Sequence, residues 1–275
     1  MNSKRIIAMD LDGTLLNEKG LVSEESIKYL NKVKENGDII VIATGRILNS
    51  ALFATKGAEF ANYIVGNAGA GVYKNVENDK WEKIYEELIP YNIAKSFLEY
   101  FDENKFSNVS LCNSQKICRY TKNYHKNDKV VVNYESKEEL EKDIKDVIHV
   151  SIGLKNNNFV SEYYKIFKDK YPDLKISIMQ DSFGDKRWLE ITQKNIEKYK
   201  GINQIAKIEN IPNENIIAFG DGLNDLDMLE KCGIGVAMKN ALPEVKKVAK
   251  FTTNKANYEN GIIDFLENIN KSAEV

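Results

Sequence analysis

Acidic residues follow two apolar runs that lie far apart in the chain. Asp10 and Asp12 come directly after the first run, Ile6 to Met9, and Asp221 and Asp225 come after a later one. Residues two apart in an extended chain point the same way, about 6 to 7 Å apart, so the first two carboxylates converge. The sequence therefore predicts carboxylates at the tips of two strands.

Groups that can hold an anion stand at two further positions. Thr44-Gly45-Arg46 follows the predicted strand from Asp38 to Ala43, where a hydroxyl and free backbone N–H groups are able to bind an anion. Lys200-Gly201 opens a predicted helix and supplies a point positive charge, a role for which Lys194 and Lys198 are alternatives. Because ligands of open α/β sheets lie beyond the carboxyl ends of the strands, we expect one site there.

The elements that must position these residues alternate between short apolar runs and helical patterns, which is typical of parallel βαβ units. The predicted core strands are Arg5 to Asp10, Asp38 to Ala43, Tyr63 to Val65 and Asn215 to Phe219, and a helix is predicted from Gly201 to Ile208. The predicted class is α/β: a Rossmann-like parallel-sheet core with helices on both faces, formed by residues 1–81 and 188–275. An inserted α+β domain is predicted at residues 82–187.

Taken together, these motifs resemble those of haloacid dehalogenase-like proteins, and specifically Cof-type phosphatases with a large type IIB cap. The resemblance spans nearly the whole chain, and the inserted domain lies where that family carries its cap. The matching segments are Asp10-Leu11-Asp12-Gly13-Thr14-Leu15-Leu16, Ala43-Thr44-Gly45-Arg46, Lys200-Gly201, Gly220-Asp221-Gly222-Leu223-Asn224-Asp225 and Gly235-Val236-Ala237-Met238 with Asn240-Ala241. The departures are Asn67-Ala68-Gly69, where the family often has Asn-Gly-Ala, and Tyr199, which replaces the usual small residue before the lysine.

The resemblance implies a phosphatase that works through an aspartyl-phosphate. Asp10 would attack phosphorus, and Asp12 would protonate the leaving oxygen and later deprotonate the attacking water. Asp10, the backbone carbonyl of Asp12 and Asp221 would hold Mg²⁺, and Asp225 would orient these ligands. The residues that the resemblance assigns to the substrate phosphate are Thr44, Gly45, Lys200 and Asn224.

Electrostatics favours the implied cofactor, Mg²⁺. A phosphate dianion beside carboxylates is repelled by about 4 kcal/mol for each pair of like unit charges at 4 Å, with an effective dielectric constant near 20. Mg²⁺, Lys200 and the N–H groups near Thr44 would offset this repulsion. The implied substrate is a small phosphorylated metabolite, such as a sugar phosphate, and the cap would select its leaving group.

Composition excludes several other classes of protein. The 275 residues are 43% hydrophobic and 29% charged, with a net charge of −2 and no run of five like charges, so neither nucleic acid nor a membrane is an expected partner. No apolar stretch approaches the roughly 20 residues that span a bilayer, and no signal-peptide pattern is present. We expect a cytoplasmic monomer or small homo-oligomer. The three cysteines form no CxxC pair, which argues against zinc and disulfide frameworks.

Two other functions fit the same motifs. A phosphomutase acting on a sugar phosphate would share this core and cap, and a non-catalytic phosphate-binding or regulatory module would share the acidic strand ends. Asp12 argues against the second, because a mere phosphate acceptor has less need of a second carboxylate. No P-loop motif and no Gly-x-Gly-x-x-Gly fingerprint follows a predicted strand, which disfavours P-loop nucleotide hydrolases and Rossmann oxidoreductases.

Overall fold

The computed structural model describes residues 4–77, 80–123, 127–180 and 187–272. The chain divides into two compact units, one formed by Met1–Tyr85 with Glu197–Val275 and the other by Glu86–Ile196. The sequence predicts an inserted domain at residues 82–187, and the compact inserted unit of the structure runs from residue 86 to residue 196.

The strands and helices follow one another in the order expected for an interrupted α/β chain. The strands are β1 (Ile6–Met9), β2 (Ile39–Ala43), β3 (Tyr63–Gly66), β4 (Gly71–Glu77), β5 (Lys80–Glu86), β6 (Phe106–Cys112), β7 (Ile117–Tyr120), β8 (Val131–Tyr134), β9 (His149–Leu154), β10 (Leu174–Gln180), β11 (Arg187–Gln193), β12 (Ile216–Gly220), β13 (Ile234–Ala237) and β14 (Phe251–Thr252). The helices are α1 (Glu24–Glu35), α2 (Leu48–Thr55), α3 (Tyr91–Glu99), α4 (Lys137–Asp143), α5 (Asn157–Lys170), α6 (Lys198–Glu209), α7 (Leu226–Lys231), α8 (Pro243–Val248) and α9 (Gly261–Ser272).

The first unit is built on a sheet with the strand order β14-β13-β12-β1-β2-β3-β4-β5. Neighbouring strands from β14 to β3 are parallel, and β4 runs antiparallel to β3. In the centre, Ile6 is in register with Ile39 of β2 and Ile216 of β12. Each residue of these three central strands is buried, as parallel strands covered on both faces require. The carboxyl ends of the parallel strands therefore share one edge.

The inserted unit is built on a second sheet, with the order β10-β11-β9-β6-β7-β8. All neighbours are antiparallel except β7 and β8. One face carries buried aliphatic side chains such as Leu111 and Ile152, which share a hydrophobic core with Phe97 of α3 and Phe167 of α5. The predicted range 188–275 assigns Trp188 to Ile191 to the first unit, but the structure pairs these residues with β9 and β10 of the inserted unit.

The predicted α/β class is confirmed by two sheets that alternate with helices along the chain. The predicted parallel core is extended by antiparallel β4, because the chain reverses in a 3₁₀ turn at Asn67–Gly69 instead of crossing over through a helix. None of the helices in the described ranges combines the length and apolar character that crossing a membrane needs.

Helix α6 approaches β3 so closely that only glycine fits at one position. A side-chain carbon at Gly201 would lie 2.5 Å from Val65 Cγ1.

We expect Gly201→Ala to lower the free energy of unfolding by about 1 to 3 kcal/mol through overpacking, although alanine is the better helix former. Urea unfolding, with the exposed Gln204→Ala as the control in the same helix, measures the effect. A stabilised Gly201→Ala variant would contradict this packing.

Candidate active site

The parallel strands of the first unit bring together residues as far apart in the chain as Asp10 and Asp221. Asp10 follows β1, Thr44 follows β2, and Asp221 follows β12. The backbone N–H of Asp10 donates to Phe219 at 3.0 Å, which ties the end of β1 to β12. Because these strands run in the same direction, their polar successors lie at one edge of the sheet.

A buried lysine holds two of the aspartates. Lys198 is fully buried, and its Nζ donates to Asp10 Oδ1 at 2.5 Å and to Asp225 Oδ1 at 2.6 Å. Asp10 is 4% exposed and Asp225 is fully buried, so all three charges are largely removed from water. Burial lowers the pKa of the lysine, but the two carboxylates outweigh it and raise that pKa above the usual range. We therefore treat Lys198 as a fixed positive charge.

Both carboxylate oxygens of Asp225 accept hydrogen bonds from other groups of the protein. Oδ1 accepts from Lys198, and Oδ2 accepts from the backbone N–H groups of Asp221 and Gly222, both at 2.9 Å. A carboxylate that accepts bonds from both the lysine and the backbone fixes the position of each. Asp225 is therefore suited to positioning the other charges.

Asp221 is packed against the first acidic loop. Its Oδ1 accepts a hydrogen bond of 2.6 Å from the Thr14 hydroxyl. A side-chain carbon at Gly13 would lie 2.3 Å from Asp221 Oδ2, and Gly13 has φ +84°, a left-handed conformation that favours glycine. The Asp10-to-Thr14 loop therefore reaches Asp221 only because residue 13 has no side chain.

The chemistry of this cluster fits a hard divalent cation. Asp10, Asp221 and Asp225 each offer an oxygen within 4.8 Å of the others. Against three carboxylates there is one ammonium in the network, which leaves two negative charges when all the groups are ionised. Carboxylate oxygens are the ligands that Mg²⁺ prefers. Since both oxygens of Asp225 are engaged, Asp10 and Asp221 are the side chains available to such an ion.

Burial and crowding raise the pKa values of two of these carboxylates, Asp10 and Asp221. Burial raises the pKa of Asp10; Lys198 opposes the shift, and Asp225 and Asp221 add to it. Burial likewise raises the pKa of Asp221 to about 6, a shift that the Thr14 hydroxyl opposes and Asp225 strengthens. Both shifts arise because ionised carboxylates lie close together out of water.

Asp12 lies outside this buried network and pairs with an arginine. Arg46 donates from Nε to Asp12 Oδ2 at 2.8 Å and from Nη2 to Oδ1 at 2.7 Å. The Asp12 side chain is 58% exposed, so a water molecule or a substrate oxygen can reach it. This bidentate ion pair orients the Asp12 carboxylate, because the planar guanidinium binds both of its oxygens. The motif Thr44-Gly45-Arg46 is visible in the sequence, but the pairing of Arg46 with Asp12 is not.

The remaining predicted residues surround the same strand ends. Thr44 is buried, and its hydroxyl accepts from the Arg46 N–H at 3.2 Å. Gly45 is exposed, and among the described residues no atom beyond its two chain neighbours lies within 4 Å of the position that a side-chain carbon would take. Asn224 is exposed in the 3₁₀ turn Leu223–Asp225.

The structure places Lys198, and not the predicted Lys200, against the aspartates. The Lys200 Nζ instead lies 5.7 Å from the centre of the Tyr85 ring. The helix begins three residues before the predicted start at Gly201, which puts Lys198 in its first turn. Residue 197, a glutamate, makes no side-chain cap; the Tyr199 N–H is capped by Asp227 Oδ2 at 2.7 Å. That cap comes from a distant part of the chain, so local sequence signals could not reveal the helix start.

Comparison with known proteins decides the family. The family model described as haloacid dehalogenase-like hydrolase matches residues 7–266. The chain belongs to the haloacid dehalogenase-like hydrolases. This confirms the resemblance on which the residue assignments were based.

Relatives of this hydrolase chain are named as phosphatases. It is 28% identical to 5-amino-6-(5-phospho-D-ribitylamino)uracil phosphatase YitU of Bacillus subtilis, over 95% of this chain and 96% of that protein. It is 26% identical to BT4131, described as a sugar phosphatase of subclass IIB, with a TM-score of 0.75 over 97% of this chain and 99% of that one. The family and these names support a phosphatase.

A further solved structure supports the fold alone. A haloacid dehalogenase-like hydrolase from Bacteroides thetaiotaomicron has a TM-score of 0.80 at 23% identity, covering 97% of this chain and all of that one. Because the match covers nearly all of this chain, it includes residues of both units.

Lys198 and Lys200 offer a matched pair of variants. Lys198→Met leaves Asp10 and Asp225 buried without their cation, so we expect a loss of about 3 to 5 kcal/mol in the free energy of unfolding. Lys200→Met, two residues along the same helix, should cost less than about 1 kcal/mol. Urea unfolding without added metal measures both values. A larger loss for Lys200→Met would contradict the observed network.

The crowding of Asp221 predicts a pH-dependent gain from removing its charge. Because its pKa rises from the ordinary 3.8 to about 6 on folding, its contribution to stability is present below about pH 4 and is lost as the pH rises through 6. Without metal at pH 8, Asp221→Asn should therefore be more stable than the native chain by up to about 3 kcal/mol. This advantage should fall by more than half at pH 4.5.

Unfolding curves in a chelator at the two pH values measure this difference. The control is Glu18→Gln, which removes the charge of an exposed carboxylate in the same unit. If Asp221→Asn is less stable than the native chain at pH 8, or if its gain in the free energy of unfolding does not depend on pH, the carboxylates are not crowded as described.

Proposed function

We propose that this hydrolase is a Mg²⁺-dependent phosphatase that releases phosphate from small phosphorylated metabolites through an aspartyl-phosphate on Asp10. The observation that carries the proposal is the buried network in which Lys198 holds Asp10 at the tip of β1, beside Asp221. A carboxylate fixed in this way, next to groups that can neutralise phosphate, is suited to attack phosphorus.

The substrate class is proposed from the named relatives. YitU is named for a phosphorylated ribityl compound and BT4131 for a sugar phosphate. Both names describe a phosphate ester on a small polyhydroxylated molecule. We therefore place sugar phosphates and related polyol phosphates first among the candidate substrates.

In the first half of the reaction, an Asp10 oxygen bonds to phosphorus as the bond from phosphorus to the leaving oxygen breaks. Asp12 in its acid form gives its proton to that oxygen, so the leaving group departs as an alcohol. Arg46 keeps the Asp12 carboxyl oriented between proton transfers, because it holds both oxygens. The products of this half are the alcohol and the aspartyl-phosphate.

In the second half, the Asp12 carboxylate removes a proton from a water molecule, and the water oxygen bonds to phosphorus. The bond between phosphorus and Asp10 breaks, which releases phosphate and restores the carboxylate. Asp12 regains its proton in this step, so the enzyme returns to its starting state. The exposure of the Asp12 side chain is what gives water access to it.

Asp10, Asp221 and the backbone carbonyl of Asp12 would hold the cation. When bound, Mg²⁺ supplies positive charge that neutralises the phosphoryl oxygens. Lys198, with the N–H groups near Thr44 and Gly45 and the Asn224 amide, would bind the remaining oxygens.

The test is phosphate release from a panel of sugar phosphates, nucleotides, pyridoxal phosphate and an aryl phosphate, each with Mg²⁺ or with a chelator. We expect release with Mg²⁺, loss of release with chelator, and a loss of more than about 10³-fold in Asp10→Asn. Asp173→Asn, an exposed aspartate in the other unit, is the matched control and should keep full activity.

Two results would count against the proposal. Undiminished release in chelator would remove the cation from the mechanism, and near-native activity of Asp10→Asn would remove the covalent step. A phosphorylated isomer in place of free phosphate would reassign the enzyme as a phosphomutase.

A further inference from the structure

The inserted unit has a polar face that the reaction above does not use. Arg119 of β7 is registered opposite Ser110 of β6, which is registered opposite Ser151 of β9, so the three side chains share one face of the sheet. Asn108, two residues from Ser110, and Trp188, in register with Gly153, lie on the same face.

A cavity of about 570 Å³ opens on this face. Arg119, Asn108, Ser151 and Trp188 line it, together with Lys155. A side-chain carbon at Gly153 would lie 2.4 Å from both the Ser107 hydroxyl and the Asn108 amide, so the missing side chain leaves room for these polar groups. The volume is that of a small-molecule site.

Arg119 is the unusual residue of this cavity. Its Nε is buried from solvent and has no hydrogen-bond partner among the residues that the structure describes. Buried donors in proteins are nearly always paired, because an unpaired one loses its bonds to water without replacement. The guanidinium of Arg119 therefore has one donor, Nε–H, without a partner, and the same side chain lines a polar cavity.

The charge of the cavity defines the kind of acceptor. Arg119, Arg187 and Lys155 are cationic, and no Asp or Glu from the described ranges lines the cavity. The nearby Glu190 is engaged by the Trp188 indole N–H at 3.4 Å. The amino end of α5 also lines the cavity with Asn156, and helix amino ends favour negative charge.

We propose that the inserted unit binds, on Arg119, the phosphate or carboxylate group of a small organic molecule. A planar guanidinium binds either group through two parallel hydrogen bonds, and the Trp188 ring offers a surface on which the body of the ligand packs. This goes beyond the proposed function, because the pocket is formed by the inserted unit alone and contains none of the residues assigned to phosphoryl transfer.

Tryptophan fluorescence tests the pocket directly. The chain has two tryptophans, so the full-length Trp81→Phe protein reports from Trp188 alone. Phenylphosphonate, which carries a ring and an anion, should change this fluorescence in a saturable way. Adding Arg119→Gln should weaken binding by about 10-fold or more, while Lys165→Gln, an exposed charge on α5 of the same unit, should not change it.

Arg119→Lys provides a second variant, which keeps the charge but lacks the planar fork, and we expect intermediate binding from it. No saturable change in the Trp81→Phe protein, or equal affinities in the Arg119→Gln and Lys165→Gln proteins, would overturn the proposal. This readout needs no turnover, so its failure is distinct from a failure of the proposed phosphatase function.

Kinetics then distinguishes the two sources of the anion. If it belongs to the substrate, Arg119→Gln should lower kcat/KM for 4-carboxyphenyl phosphate by about 10-fold relative to phenyl phosphate. If it belongs to a separate molecule, the ratio of the two kcat/KM values should equal that of the native protein.

Discussion

Like charges brought together out of water are the constraint on which this site depends. Asp10, Asp221 and Asp225 offer oxygens within 4.8 Å of one another. Carboxylates this close together are buried in a folded protein only when nearby positive charge compensates them. Lys198 provides that charge from inside the protein and bridges Asp10 to Asp225. The negative charge that remains is suited to a cation, so the electrostatic cost of assembling the cluster and its proposed chemistry have the same origin.

The parallel sheet makes this assembly possible because it converts distant sequence positions into neighbours. Asp10 and Asp221 stand at the ends of the adjacent strands β1 and β12, and the helix that carries Lys198 packs against β3 through Gly201. Asp227 caps the first turn of the same helix, and Asp225 anchors the backbone of Asp221. Each charge is therefore held by a contact from another segment, which gives the site a rigid geometry before any ligand binds.

Residues that follow strands were predictable, and the lysine was not. Asp10, Asp221 and Thr44 stand directly after apolar runs, and the chain order of parallel strands is sufficient to expect them at one edge. The sequence alone favours Lys200, with Lys194 and Lys198 as alternatives, because the helix start depends on a cap from Asp227 that no local pattern contains. The pairing of Arg46 with Asp12 is likewise a tertiary contact, although both residues stood in recognised motifs.

Trapping the covalent intermediate is the most direct test of the central claim, that the held carboxylate of Asp10 is the group that takes up phosphate. The enzyme would be mixed with substrate and Mg²⁺, quenched in acid within one turnover, digested and analysed by mass spectrometry, in the native form and as Asp12→Asn. With an aryl phosphate, whose phenolate leaves without a proton from Asp12, the account predicts phosphate on the peptide that contains Asp10, in larger amount in Asp12→Asn, because activation of water is slowed. Full turnover without any adduct on Asp10, or an adduct on another residue, would contradict it.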